Sequence, residues 1–291
     1  MRLGTMTTLF RDRREGPEHY GYIESIRRCR AAGFTVLDMN LCALSRRQTT
    51  LHLDDWKQQV DEIRNEAEKQ GCVFSQSHPP YRRGGARFDT QEEEDFFGAM
   101  ELRAIEITAM LGAKWAVIHP ITAYDGDPAD PENNIRWNKR IFAREIELAD
   151  KLGVGLAFEN MCDNGQRRRF CVTAEELIAL TDSFHSDKIG VCWDVGHANR
   201  TYDDQIPAIL KLGERIKALH IDDNRGKDDL HVLPFEGTIP WERVMHALYE
   251  SGSPADLIFE VSTNNRMPEA LKDLTARYHY DVGQYLLSLY K

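Results

Sequence analysis

Six side chains with metal-binding chemistry stand at the C-terminal ends of short apolar runs. They occur in Ser77-His78-Pro79-Pro80, Ile118-His119-Pro120, Phe158-Glu159-Asn160, Trp193-Asp194-Val195-Gly196-His197, Leu219-His220-Ile221-Asp222-Asp223 and Phe259-Glu260-Val261. The 291-residue chain holds ten histidines. Two positions at each of eight strand ends would catch only about half a histidine by chance, and three are there. A carboxylate buried alone loses several kcal/mol of hydration. Three carboxylates and three imidazoles brought to one mouth would repel one another or stay unsatisfied without a cation, so a divalent ion is expected there. The carboxylates suit Mn²⁺, Mg²⁺ or Co²⁺, and the imidazoles also suit Zn²⁺. A second group follows the seventh run. Asp229 and His231, spaced i and i+2, face the same way if that segment is extended. His197 lies three residues beyond Asp194, in the expected loop above strand six.

Positioning these residues requires elements of alternating period. Eight strands are predicted, at Arg2–Thr5, Thr35–Asn40, Val73–Ser77, Ala116–His119, Gly155–Glu159, Gly190–Asp194, Ala218–Ile221 and Leu257–Val261. Helical spacing separates them. Trp56, Val60, Ile63 and Ala67 repeat at i, i+4, i+7. Glycines 33, 71, 112, 153 and 213 stand where helices should stop. Thr173 with Glu176 reads as a capping box, and Pro240 suits a first helical turn. Eight strands alternating with eight helices predict a single α/β domain over residues 1–291, a closed (β/α)8 TIM barrel. A doubly wound open sheet would carry a glycine-rich phosphate loop after its first strand, and Gly4-Thr5-Met6-Thr7-Thr8 is not one. A barrel's chemistry sits at the C-terminal ends of its strands, where the six residues fall.

Composition narrows the partners. Lys and Arg number 37 against 47 Asp and Glu, a net charge of −10. That balance disfavours nucleic acid, which needs a cationic surface. No apolar run approaches a membrane span, and the first ten residues lack the apolar core of a signal peptide. The six cysteines form no CxxC pair, so reduced thiols and a cytoplasmic location are expected. Trp193 should face the helices, opposite Asp194. Phe235, in the loop after strand seven, is the candidate for a wall against which a substrate ring stacks.

Taken together, Phe158-Glu159-Asn160, Asp194-Val195-Gly196-His197-Ala198, the His220-to-His231 loop with Glu236-Gly237-Thr238-Ile239-Pro240-Trp241, and Glu260 resemble the xylose-isomerase-like barrel superfamily. It contains sugar phosphate isomerases and epimerases and the endonuclease IV repair enzymes. The resemblance spans all eight repeats. It implies that Glu159, Asp194, His220 and Glu260 hold one divalent ion, with Glu159 and Glu260 also the acid/base pair. In the endonuclease relatives a trinuclear zinc site recruits further residues, which match His78 and His119 beside Glu159, and His197, Asp229 and His231. His197 would bind or polarise a substrate oxygen in a sugar enzyme. One departure concerns the ketose 3-epimerases, which carry Leu-Asn-Arg shortly after the strand-five Glu. Here the segment is Asn160-Met161-Cys162-Asp163-Asn164-Gly165, which argues against 3-epimerisation of a free ketose. The expected activity is proton transfer on a small sugar, keto-sugar or sugar phosphate. A metal-dependent lyase or dehydratase on a keto-sugar and an abasic-site phosphodiesterase are the alternatives. Arg225 and Arg167, the latter in the run Arg167-Arg168-Arg169, are candidates for holding a substrate anion. A small carbohydrate is the expected partner, and the sequence leaves a homo-oligomer open.

Overall fold

The computed structural model describes residues 1–10, 21–82, 88–163, 168–263 and 267–291. Eight strands form one sheet: β1 (Leu3–Met6), β2 (Val36–Asn40), β3 (Val73–His78), β4 (Trp115–Ile118), β5 (Gly155–Glu159), β6 (Ile189–Asp194), β7 (Ile216–His220) and β8 (Leu257–Phe259). Their order is β7-β6-β5-β4-β3-β2-β1-β8. Every pairing between them is parallel. An isolated parallel bridge between Ile221 and Phe259 closes the ring, with Ile221 N donating to Ile258 O at 2.8 Å. The predicted TIM barrel is therefore the observed fold. No helix among the described residues is long and apolar enough to cross a membrane.

The outer layer is α1 (Tyr22–Ala32), α2 (Trp56–Lys69), α3 (Gln91–Met110), α4 (Pro131–Ile141), α5 (Ala143–Leu152), α6 (Ala174–Asp182), α7 (Val195–Thr201), α8 (Ile206–Leu212), α9 (Trp241–Glu250) and α10 (Glu269–Leu289). Local chemistry sets their ends. The Thr173–Glu176 capping box opens α6. Gly33 and Gly153 end α1 and α5 in left-handed geometry. Among the described residues, two helices exceed the eight expected. The helix that stops at Gly153 is preceded by α4, which Asp130 caps and Pro131 starts. The two part at Phe142, whose ring is buried against Phe158. The other extra helix is α7, considered with the site.

The barrel interior is built in layers, because inward side chains recur every second residue. Val117, Ala157, Cys192 and Ala218 form a fully buried cluster. Each lies two residues before His119, Glu159, Asp194 or His220. Small side chains at this level leave the layer above to polar groups. Below it Trp115 fills the space over Gly155, where a Cβ would stand 2.2 Å from the indole. Trp193 points outward as expected, donating Nε1 to Gln205 Oε1 at 3.1 Å.

The last helix, α10, buries Lys272, Ala276, His279, Val282, Gly283 and Leu286. His279 Nδ1 has no hydrogen-bond partner among the described residues. Burial pushes the His279 imidazole down to about 4 from its usual value near 6.5. Its folded-state pKa is depressed, so its neutral form contributes stability above pH ~6.5 that is lost as pH falls towards 4. We expect His279→Leu to remove this dependence. The stability difference between wild type and variant, measured by denaturant titration, should shift by on the order of 1–3 kcal/mol between pH 7.5 and 4.5. A difference that stays constant across that range contradicts the assignment.

Candidate metal centre

The strand ends bring the predicted residues to one mouth. Ligand-type atoms of Glu159, Asp194, His220 and Glu260 all lie within 4.8 Å of one another. Glu159 ends β5, Asp194 ends β6, His220 ends β7, and Glu260 follows β8 directly. His220 Nδ1 lies 3.2 Å from Glu159 Oε1 and 3.0 Å from Glu260 Oε2. Glu159, Asp194 and His220 are almost wholly buried, whereas the Glu260 side chain keeps 15% exposure. A second group, His78, Glu159 and His220, meets the same 4.8 Å limit. His119 Nε2 stands 2.9 Å from Glu159 Oε2 and 3.2 Å from His78 Nε2. Two ligands about 2.1 Å from one tetrahedral ion stand about 3.4 Å apart, so these separations fit shared coordination.

Electrostatics shows why a cation fits. Burial raises the Asp194 carboxyl to about 7, and the nearby Glu159 and Glu260 charges add to this against His197. Asp194 Oδ2 has no hydrogen-bond partner among the described residues. Asp222 is fully buried and neither of its oxygens has such a partner. Burial, reinforced by the Asp194 charge, pushes its carboxyl well above the usual range. Burial would raise Glu159 too, but the His119 and His220 imidazoles hold it well below its ordinary value. Glu260 is likewise opposed by burial and held down to about 2 by His220 and His231. Burial drives His119 down to about 4. A divalent ion at this mouth would satisfy the orphaned carboxylate oxygens and relieve the mutual repulsion.

The surrounding shell orients the imidazoles. His78 Nδ1 lies 2.9 Å from Pro79 O, His197 Nδ1 2.8 Å from Asn160 O and His231 Nδ1 3.0 Å from Glu260 O. When Nδ1–H donates to a backbone carbonyl, the other ring nitrogen is left as the ligand atom. His220 presents Nδ1 to the carboxylates, and its Nε2 faces Asp38 Oδ2 at 3.7 Å. Asp38 is fully buried at the inner face of β2 and accepts from Gln76 Nε2 at 2.8 Å. Asn160 clamps β5 to β6, accepting from Asp194 N at 2.6 Å and donating to Asp194 O at 2.9 Å. Asp223 organises the loop after β7, accepting from the backbone of Asn224, Phe235, Thr238 and Ile239 and from the Trp241 indole.

Several expectations are corrected in detail. His197 lies on α7, not in a loop, because the Asp194 carboxylate caps that helix at His197 N, 2.6 Å away. His231 has φ 47°, so the segment from Asp229 is not extended. Its Nε2 nevertheless stands 3.4 Å from Asp229 Oδ2. Phe235 is no wall of the mouth. Its ring packs against Trp241 and Tyr285 of the outer helices. Arg225 is exposed in the loop after β7, and Arg167 lies outside the described residues. Arg168 is committed to Glu176, while the Arg169 charge acts on His119. Arg82 is buried against Glu101 with its guanidinium near Phe97. Asp38, Asp222 and Cys162 were not singled out by sequence reasoning. Asp222 is two residues past His220, a period-two signal that could have found it. Cys162 has no such signal, because it sits in irregular backbone.

Asp38→Asn should weaken divalent-metal affinity about 10- to 100-fold, the range for losing a group that orients a ligand imidazole. Calorimetric titration of the metal-free protein with Mn²⁺ measures this, and unchanged affinity would show that Asp38 does not hold His220 in place.

The family model described as xylose isomerase-like TIM barrel matches residues 26–277. Among curated proteins, the uncharacterised protein y4fM of Sinorhizobium fredii is 35% identical over 158 residues, 54% of this chain and 50% of its own length. D-psicose 3-epimerase of Enterocloster bolteae is 25% identical over 228 residues, 75% of this chain and 69% of that protein. A probable endonuclease 4 of Mesomycoplasma hyopneumoniae is 24% identical over 189 residues, 60% of this chain and 63% of that protein. The match to the first of these relatives thus spans half of that protein's length. Two solved structures share the fold over the whole chain. A D-tagatose 3-epimerase-like protein has TM-score 0.75 and 19% identity, covering 100% of this chain and 98% of that one. The IolI protein with a bound zinc atom has TM-score 0.71 and 15% identity, with the same coverage.

Proposed function

The chain belongs to the xylose isomerase-like TIM barrel family, and on that premise we propose that it is a divalent-metal-dependent isomerase or epimerase. Its substrate is a small sugar, keto-sugar or sugar phosphate. The observation that carries this reading is the cluster of Glu159, Asp194, His220 and Glu260 ligand atoms within 4.8 Å at the barrel mouth. A bound ion would supply a Lewis acid that polarises neighbouring substrate oxygens. Asp194 and His220 would hold it in place. Glu159 and Glu260 face the mouth from the ends of β5 and β8, three strands apart around the barrel, and their carboxylates move a proton at the carbon beside the carbonyl. Glu260 keeps contact with solvent, so its proton can exchange with water. The names of two relatives, a D-psicose 3-epimerase and a D-tagatose 3-epimerase-like protein, agree with this class. The departure after Glu159 still directs attention beyond free ketoses. Arg169, whose charge acts on His119, is the candidate to meet an anionic substituent.

The phosphodiesterase alternative gains little. The chain carries a net charge of −10, and Arg82, which a cationic rim would need, is buried against α3.

Incubation of metal-loaded protein in D₂O with a panel of keto-sugars, keto-sugar phosphates and related acids should place deuterium at a carbon beside the carbonyl. Exchange accompanied by loss of a substituent would replace the isomerase reading by a lyase or dehydratase. Incision of abasic-site DNA with no exchange across the panel would overturn it. Glu260→Gln keeps shape and removes the base, so turnover should fall at least about 10²-fold. A near-normal rate would remove Glu260 from the chemistry.

A further inference from the structure

We propose that the N-terminal end of the barrel, opposite the metal centre, is a second binding site, which takes a small organic oxyanion. A cavity of about 610 Å³ lies there, lined by the first residues of β3, β4 and β7 and by the segments that lead into β1 and β8. Small-molecule sites span about 300–1,000 Å³. The fully buried layer of Val117, Ala157, Cys192 and Ala218 separates this cavity from the mouth. None of the clustered ligand-type residues of the mouth lines it. The lower end of a barrel ordinarily carries stability rather than chemistry, so a cavity with unbalanced charge there calls for an occupant.

Two β-bulges build its wall. β2 and β3 pair Leu37 with Phe74 and then Asp38 with Gln76, so Ser75 is an extra residue. β6 and β7 pair Val191 with Ile216 and then Cys192 with Ala218, so Lys217 is an extra residue. A bulge re-aims the side chain it carries. β3 and β7 stand four strands apart, on opposite sides of the ring, and both extra residues line the cavity. Gly190 gives the lysine stem room, since a Cβ there would stand 2.4 Å from Lys217 Cγ. Ser75 O accepts from Lys114 N at 3.2 Å, which brings a second lysine to the rim. The Ser75 hydroxyl has no hydrogen-bond partner among the described residues, whereas a buried polar group normally has one. Gln76 spans the barrel above, donating Nε2 to Leu219 O at 3.3 Å.

The charge fits an anion. Arg2 and Asp256 both line the cavity and satisfy each other, with Arg2 Nε 3.1 Å from Asp256 Oδ1 and Nη2 2.6 Å from Oδ2. Lys114 and Lys217 have no ion pair or side-chain hydrogen bond among the described residues. Their positive charges are therefore unbalanced, in a chain whose net charge is −10. Lysine binds phosphate or carboxylate as a compact point charge. Trp115 and Val73, the latter 47% exposed, offer apolar surface beside the two lysines. A phosphate or carboxylate carried on a ring or a short apolar group matches both features. The site shares no residue with the mouth and does not depend on the isomerase reading.

Phenyl phosphate and phenylacetate are the probes, with benzyl alcohol as their uncharged counterpart. Each is titrated into the full-length protein while the Trp115 indole N–H resonance, assigned by its loss in Trp115→Phe, is followed by NMR. One or both oxyanions should shift it saturably, and the tighter binder identifies the anion. Benzyl alcohol should bind at least about tenfold more weakly, a difference of about 1.4 kcal/mol. That comparison needs no variant. The double variant Lys114→Met/Lys217→Met should lose at least about tenfold in oxyanion affinity. Its other indole resonances should keep their wild-type positions, which certifies the fold. Glu260→Gln, altered only at the mouth, should bind the oxyanion with wild-type affinity. No saturable shift at Trp115, equal binding of benzyl alcohol, unchanged affinity in the double-lysine variant, or lost binding in Glu260→Gln would each overturn the proposal.

Discussion

The structure is organised around the difficulty of keeping several ionisable groups in a nearly dry barrel mouth. Glu159, Asp194, His220 and Asp222 are buried almost completely, and burial opposes the charged form of each. Partial pairing settles some of the conflict, as the imidazoles hold Glu159 ionised. It leaves Asp194 and Asp222 raised and short of hydrogen-bond partners. Replacing such a group by an apolar residue would make a more comfortable core. The arrangement makes physical sense as a cradle for positive charge, because coordination would offset the burial of these carboxylates.

The rest of the fold serves that cradle. Small inward residues one layer below the mouth keep the barrel packed without filling the site. Asn160 locks the ends of β5 and β6 in register, so Glu159 and Asp194 cannot drift apart. Asp194 caps α7 through one oxygen and leaves the other facing the mouth. Gly196 is needed at the same turn, because a Cβ there would stand 2.0 Å from Asp222 Oδ1. Asp223 gathers the long loop after β7 by accepting five hydrogen bonds, which sets the positions of Asp229 and His231.

The barrel was legible in the sequence because strand and helix periods alternate cleanly and glycines stand at the helix stops. The four principal site residues were legible because each ends an apolar run, where a barrel places chemistry. Other features depended on contacts between distant segments. Asp38 reads as one polar residue in a buried strand until β2 and β7 are seen across the barrel, where it faces His220. The Asp194 cap turned an expected loop into α7, a decision made by one hydrogen bond. Phe235 adopts φ 77° and turns to the outer helices, which its apolar character alone could not reveal. Cys162 joins His197 and Asp229 only because two loops and α7 meet.

The central claim is that Glu159, Asp194, His220 and Glu260 share one divalent ion. It is tested most directly by an anomalous-difference map from crystals of the full chain grown with Mn²⁺. A peak about 2.0–2.4 Å from a ligand atom of each of the four residues is the predicted result. A map with no peak at the mouth in fully loaded crystals, or with one bound only by other residues, would contradict the account.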